Sequence, residues 1–368
     1  MGSGRLSIRM RNRRDIRKGL LVATVLGGAW RSSEFPPIDI TEHELDEVTP
    51  LLCTSGVAAL VWRRISSTHL HTSSAAEVLR QAYRLQSLQS DIQEEQIERV
   101  FRLLRAASVD AILAKGWAAA AFYRNRDLRA CGDIDIYVRP PDFSMAQEVL
   151  SRPEANDCWV DLHKHFLEIN DRNIDEIFAR TAVVQLGHEQ IRLLSPEDHL
   201  ALLCIHLLKH GAWRPLWLCD IAAALESLPA TFDWEIFLGR DRRRTAWIGC
   251  AVGLAHRLLG ARIGHLPLKL KQTEVPAWLA QGVLEHWSTL FPADHLPIRP
   301  ALLMANNLKT GGNIIKGVIE RWPDPITATF NLGGKFNNFP RLPYQLADFM
   351  VLATRYLIHL PAKLQAAR

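Results

Sequence analysis

The sequence has no closely spaced pair of cysteines, no apolar run long enough to cross a bilayer, no internal repeat and no low-complexity tract. Each absence removes a class of protein. The six cysteines (Cys53, Cys131, Cys158, Cys204, Cys219 and Cys250) are scattered. That spacing excludes a zinc ribbon or a Cys-x-x-Cys redox motif, and points to reduced, mostly buried thiols in a cytoplasmic protein. The apolar stretch Leu20–Trp30 follows a basic lead-in with Arg13-Arg14. It is too short to span a membrane, however, and neither twin-arginine flanking residues nor an Ala-x-Ala site accompanies it, so no transmembrane segment or secretion signal is expected. No Gly-x4-Gly-Lys-Ser/Thr spacing occurs: Thr310-Gly311-Gly312 and Gly333-Gly334-Lys335 read as turns. Positive charge is also scarce in the body of the chain. The net +5 is concentrated in residues 1–18, which carry about +6 and leave the rest near −1. Broad electrostatic capture of DNA or RNA is therefore not expected.

What remains is an ordinary globular composition, 48% hydrophobic and 23% charged over 368 residues, enough for a sizeable core and several subdomains. Residues 1–18 form a basic arm and 19–84 an N-terminal helical region, with Thr41 as a helix cap. Residues 85–195 alternate helix and strand. Asp91–Ala107 repeats apolar residues at helical spacing, Val109–Leu113 is a short strand, and Trp117–Tyr123 starts an alanine-rich helix. Asp133–Val138 is a half-buried strand, Phe143–Leu150 a helix, Trp159–Phe166 a strand, and Val183–Leu194 a hairpin turning at Gly187-His188. Ser195-Pro196 opens a helix, and 196–300 is a helical domain. Residues 301–368 form a helical and loop extension, with Asn306–Gly312 and Asn331–Asn338 as loops. The order predicts an α/β (α+β) fold: a small mixed sheet embedded in helical N- and C-terminal regions.

The chemistry concentrates in Asp133-Ile134-Asp135-Ile136. The strand period of two puts both carboxylates on one face and both isoleucines on the other. Two adjacent acids repel unless a cation lies between them, so packing explains the pair poorly. Magnesium suits it, taking a few carboxylate oxygens and completing its shell with water and phosphate. Lys115-Gly116 precedes a helix start, where free N–H groups favour a phosphate. A third acid, Asp161 in Trp159-Val160-Asp161-Leu162-His163, lies on a strand able to neighbour the first. Three carboxylates can hold two cations, one gripping a triphosphate and one acidifying an acceptor hydroxyl.

These residues resemble a known family. Ile112-Leu113-Ala114-Lys115-Gly116, then Tyr123, then Leu128-Arg129-Ala130-Cys131-Gly132-Asp133-Ile134-Asp135-Ile136-Tyr137-Val138 is similar to the uncharacterised bacterial nucleotidyltransferase family of the DNA polymerase beta superfamily. Val160-Asp161-Leu162-His163 resembles its third acidic strand, and His206 to Ile221, with His210, Trp213, Leu216, Trp217 and Asp220, its helical domain. Gly56-Val57-Ala58-Ala59-Leu60 and Arg63-Arg64 agree, giving coverage of about residues 20–230. The resemblance implies a polymerase-beta-like sheet and transfer of a nucleoside monophosphate from a triphosphate, ATP being the expected one, with Mg2+ or Mn2+. Asp133, Asp135 and Asp161 become metal ligands and catalytic residues. Lys115, Gly116, Trp117, Arg129 and Gly132 become the nucleotide and phosphate side, with Lys115 and Arg129 as cationic contacts. The acceptor is a hydroxyl of a small molecule or protein. One departure stands out: the superfamily has Gly-Ser at the phosphate turn, where this chain has Gly116-Trp117.

Other residues carry simpler readings. His163 and His165 form His-x-His without a third zinc ligand nearby in sequence, which leaves His163 as an acceptor-side or phosphate contact. His206 and His210 share a helix face but lack the glutamate of a zinc-protease motif. Asp220 reads as a hydrogen-bonded acid in an apolar helix. His163, His210 and Asp220 together outline an expected acceptor pocket. The eleven tryptophans are core and interface fillers, with Trp117 and Trp213 as candidate pocket walls. The competing expectation is a noncatalytic relative that binds nucleotide or a partner, suggested by the missing serine.

Overall fold

The computed structural model describes residues 16–33, 35–290 and 322–365, with side chains as far as residue 354. The N-terminal part is helical: α1 (residues 16–26), α2 (Glu42–Thr54) and α3 (Ala58–Ile65). Thr41 caps α2 as expected. Its hydroxyl accepts from the Glu44 N–H while the Glu44 carboxylate accepts from the Thr41 N–H, a reciprocal capping box. Arg17 and Lys18, assigned by sequence to the basic arm, lie in or beside α1 and pair with Glu44 and Glu47 of α2. Residues 1–15 of that arm lie outside the described residues, as does the Asn306–Gly312 loop.

The helix expected over Asp91–Ala107 is the end of a much longer one, α4 (Ser74–Ala106), which runs unbroken through the expected boundary at 84/85. The N-terminal helices and the sheet therefore share one continuous helix. After α4 come β1 (Ala111–Ala114), α5 (Gly116–Ala120), β2 (Ile134–Val138), α6 (Phe143–Leu150), β3 (Val160–His163), α7 (Ile174–Ala179), β4 (Ala182–Leu186) and β5 (Glu189–Leu193). Among the described residues these strands form one five-stranded mixed sheet in the order β3-β2-β1-β5-β4. β1 is antiparallel to β2 and parallel to β5, β2 is parallel to β3, and β4–β5 is the predicted hairpin.

Strand alternation sorts the two faces. Ala111, Leu113, Ile134, Ile136, Val138, Ile191 and Leu193 pack on α4, Trp117 and α6 in one core. Ile112, Ala114 and Tyr137 on the other face join a second core with the N-terminal helices and with α8 (Pro196–Lys209) and α9 (Pro215–Glu226). Ser195 caps α8 by accepting from the Asp198 N–H, with Pro196 at the first helical position, as the sequence predicts. Helices Trp234–Leu238, Arg242–Leu259 and Ala277–Trp287 follow, and Leu342–Gln365 forms the last described helix. No helix among the described residues is long and apolar enough to cross a membrane.

Candidate metal and nucleotide site

The carboxylates meet through register. In the parallel β2–β3 ladder Asp135 lies opposite Asp161, and Tyr137 opposite His163. Asp133 precedes β2 by one residue. Ile134 and Ile136 fill the α4-side core, so the acids necessarily emerge on the α8 side. His163 Nε2 bridges the register pair, 3.0 Å from Asp135 Oδ1 and 3.1 Å from Asp161 Oδ2. The Lys115 ammonium, at the end of β1, pairs with the same Asp135 oxygen. Asp135 is almost fully buried, whereas the Asp161 side chain is 52% exposed. One acid thus forms the floor of the site and the other its rim.

Electrostatics separates the neighbouring acids. Burial alone would raise the pKa of Asp135, but the His163 hydrogen bond and the Lys115 charge outweigh it and hold the carboxyl below its ordinary value. Asp133 shifts the other way, raised by desolvation and then by the Asp135 charge; the residue is largely exposed, but protein atoms crowd its carboxyl group. Oxygen and nitrogen atoms of Asp135, Asp161 and His163 lie within 4.8 Å of one another, close enough to share one cation. With Asp133 beside them the donor set is mainly hard oxygen, which suits a magnesium-like ion. The positively charged Lys115 and the imidazole already gathered on Asp135 show where this surplus of negative charge attracts a cation.

The turn after β1, expected on the phosphate side, is strained as well as short. Lys115 has φ 54° and Gly116 φ 23°, and a Cβ at Gly116 would come within 3.2 Å of the Asp133 carbonyl oxygen. Glycine is thus required where the turn passes the acidic strand. The Lys115 N–H donates to His199 Nε2 at 3.2 Å, which places the imidazole proton on Nδ1. Burial lowers the pKa of His199 to about 4, keeping it neutral as an acceptor. From the other side of the sheet, α4 steadies the loop before Asp133: Gln86 donates to the Asp127 carbonyl and Gln93 to the Gly132 carbonyl.

Three expected contacts take different positions. Trp117 is 1% exposed and packs into the α4-side core, its indole N–H donating to Glu94 at 2.8 Å and Arg126 stacked 3.9 Å over the ring. Its side chain walls no pocket, because the strand-to-helix turn rotates it beneath the sheet, and only its backbone stays at the turn. Arg129 is buried rather than aimed at a phosphate: Nε and Nη2 grip Asp220 at 3.2 and 2.8 Å. Asp220, 0% exposed, also accepts from the Tyr123 hydroxyl at 2.7 Å, so no acceptor reaches it. The periodic apolar pattern of α9 had hinted at this partly buried acid, but not at its partners.

His210 is exposed at the end of α8, beside Trp217 at 5.5 Å and His206 at 4.4 Å between ring centroids. The residue as a whole is exposed, but the packed rings desolvate its imidazole and lower its pKa to about 3, with the neighbouring His206 and Lys209 charges adding to the effect. Trp213, the other candidate wall, stacks on His286 at 3.8 Å. Sequence reasoning missed Tyr137, Glu168, Lys209 and His199. Tyr137 stacks between His163 and Phe166 and supports the imidazole; its strand position two residues after Asp135 was the available signal. Lys209 pairs with the buried Glu168 at 2.8 Å, a contact between elements about forty residues apart that no local pattern announces.

One comparison with known proteins gives a match. A family described as uncharacterised nucleotidyltransferase matches residues 41–155 and 151–260, a span from the capped start of α2 through the acidic strands and beyond α9. Neither the comparison with curated proteins nor that with solved structures gives a match. The match covers more than half of the chain, including every acid and cation just described, and the chain therefore belongs to the uncharacterised nucleotidyltransferase family.

Proposed function

We propose that the chain moves a nucleoside monophosphate from a nucleoside triphosphate, ATP by expectation, to a hydroxyl of a small-molecule or protein acceptor. The observation that carries this reading is the parallel register of Asp135 with Asp161 beside Lys115, which gathers acids and a cation on one open face of the sheet. In the transfer, the acceptor oxygen attacks the α-phosphorus in line, the bond to the bridging oxygen breaks, and pyrophosphate leaves. Asp133, Asp135 and Asp161 would hold magnesium or manganese, which when bound neutralises phosphate oxygens and acidifies the acceptor hydroxyl. Asp161, the exposed member of the pair, stands on the acceptor side and takes the hydroxyl proton. Backbone N–H groups at Gly116 and Trp117 face no partner within their own helix turn and suit a phosphate oxygen. His163, fixed by Tyr137, orients the two carboxylates.

One observation favours a second reading, a noncatalytic nucleotide-binding or partner-binding member of the family. The hydroxyl expected at the phosphate turn is replaced by the buried indole of Trp117. Thermal denaturation with ATP, GTP, CTP or UTP, with and without magnesium, separates the readings when paired with pyrophosphate release. The proposal expects a magnesium-dependent rise in melting temperature that vanishes in Asp133→Asn/Asp135→Asn. No rise with any nucleotide would favour the noncatalytic reading.

A further inference from the structure

The commitment of Arg129 to Asp220 leaves the cleft short of a guanidinium for phosphate. Arg214, in the turn between α8 and α9, is placed to supply one. Its Nε donates to the Ser55 carbonyl at 3.0 Å, and this is its one hydrogen bond among the described residues; no carboxylate pairs with it. It is half-buried, yet neither Nη atom is sealed from solvent. The chain makes room for it at Gly56, where φ is +77° and a Cβ would fall 2.6 Å from Arg214 Nη2 and 3.2 Å from the Ala130 side chain. The guanidinium is therefore wedged against the loop that leads through Ala130 and Gly132 to Asp133. Its pKa is lowered by burial and then by the Arg129 charge, opposed by Asp220 first and, more weakly, by Asp133.

A guanidinium that has lost much of its water and gained no counter-ion is electrostatically incomplete, and a bidentate oxyanion completes it best. The contrast with Arg129 is sharp, since that residue carries its own buried carboxylate. We propose that Arg214 is the phosphate-recognising arginine of this cleft, its two Nη atoms taking oxygens of the donor's triphosphate chain, and that Gly56 exists to admit it. This rests on the nucleotidyltransferase reading of the same site.

The test is equilibrium binding of ATP, inorganic tripolyphosphate and inorganic phosphate, each with magnesium, to the full chain and to Arg214→Gln, Arg214→Lys and Gly56→Ala. Losing a charged bidentate contact is expected to weaken ATP and tripolyphosphate by about 10- to 100-fold in Arg214→Gln, with partial recovery in Arg214→Lys. Gly56→Ala should weaken both ligands in the native background and add nothing in Arg214→Gln, because both changes remove the same contact. Additive losses would mark a merely structural role and overturn the proposal. So would native-like ATP and tripolyphosphate affinity in Arg214→Gln, including the case where only inorganic phosphate binding is lost. If the native protein binds neither ATP nor tripolyphosphate, the nucleotidyltransferase reading itself fails, and the Arg214 proposal fails with it.

Discussion

Two charged clusters, one holding Arg129 and the other Asp133 four residues later, behave in opposite ways. Around Asp220 the charges are sealed and matched: one carboxylate, one guanidinium and one phenol share hydrogen bonds at 2.7–3.2 Å with no exposure of the acid. Around Asp135 they are open and unbalanced, with three acids facing one ammonium and an imidazole. A similar sealed knot occurs at Asp198, which is fully buried and takes both Arg172 and Arg180. Matched buried charges specify how elements dock, whereas unmatched charges in a cleft await a ligand.

Substitutions should break this contrast cleanly. The largest effect is expected for Asp161→Asn: nucleotidyl transfer should fall by about 10³-fold or more, as for loss of a metal-positioning acid. Stability in a urea titration should move by only about 0.5 kcal/mol, since the side chain is half-exposed. A transfer rate within tenfold of native would remove Asp161 from the site. Asp220→Ala should do the reverse. It leaves Arg129 buried and unpaired and should cost about 3–5 kcal/mol of folding stability, whereas Arg129→Met/Asp220→Leu should recover much of it. A double variant as unstable as the single would show that packing at Asp220, not its charge, matters.

Trp117→Ser sharpens the comparison at the phosphate turn. It installs the hydroxyl that the superfamily carries, but empties a core site that is 1% exposed, so a loss of roughly 3–4 kcal/mol is expected without a gain in transfer. A faster enzyme of native stability would show instead that the indole blocks the site.

The smallest effect is a pH slope from His199. Its folded pKa is about 4 against an unfolded value near 6.5. Between those values the unfolded chain binds the extra proton, so stability is highest above pH 6.5 and falls as pH drops toward 4, by roughly 3 kcal/mol at most. Denaturation midpoints of His199→Gln between pH 7 and 4.5 should show a shallower slope. An unchanged slope would assign the acid sensitivity to other groups.

Much of this was legible in the linear order. The Asp133-x-Asp135 face, the Gly187 hairpin, the Thr41 and Ser195 caps and the helix Phe143–Leu150 all follow from local periodicity or local hydrogen bonding, and the structure has each of them. Asp161 was readable as a candidate because its strand also alternates. The length of α4 was less legible, since several apolar residues of its first half, Val78, Leu85 and Leu88, lie on the exposed side and blur the stripe that marked the second. The pairing of Arg129 with Asp220 was hidden for a different reason. An arginine four residues before Asp133 and an acid in a helix look equally available to substrate until the ninety residues between them are folded.

The sequence by itself determined which residues alternate, which turns need glycine, and therefore that acids emerge on one face of a small sheet with apolar residues on the other. Those are short-range consequences of backbone geometry and side-chain size. Only the tertiary structure decided which charges are spent on each other and which stay free. Electrostatic pairing depends on distance through space and on the water excluded around each group, and neither is set until α8 and α9 close over the sheet.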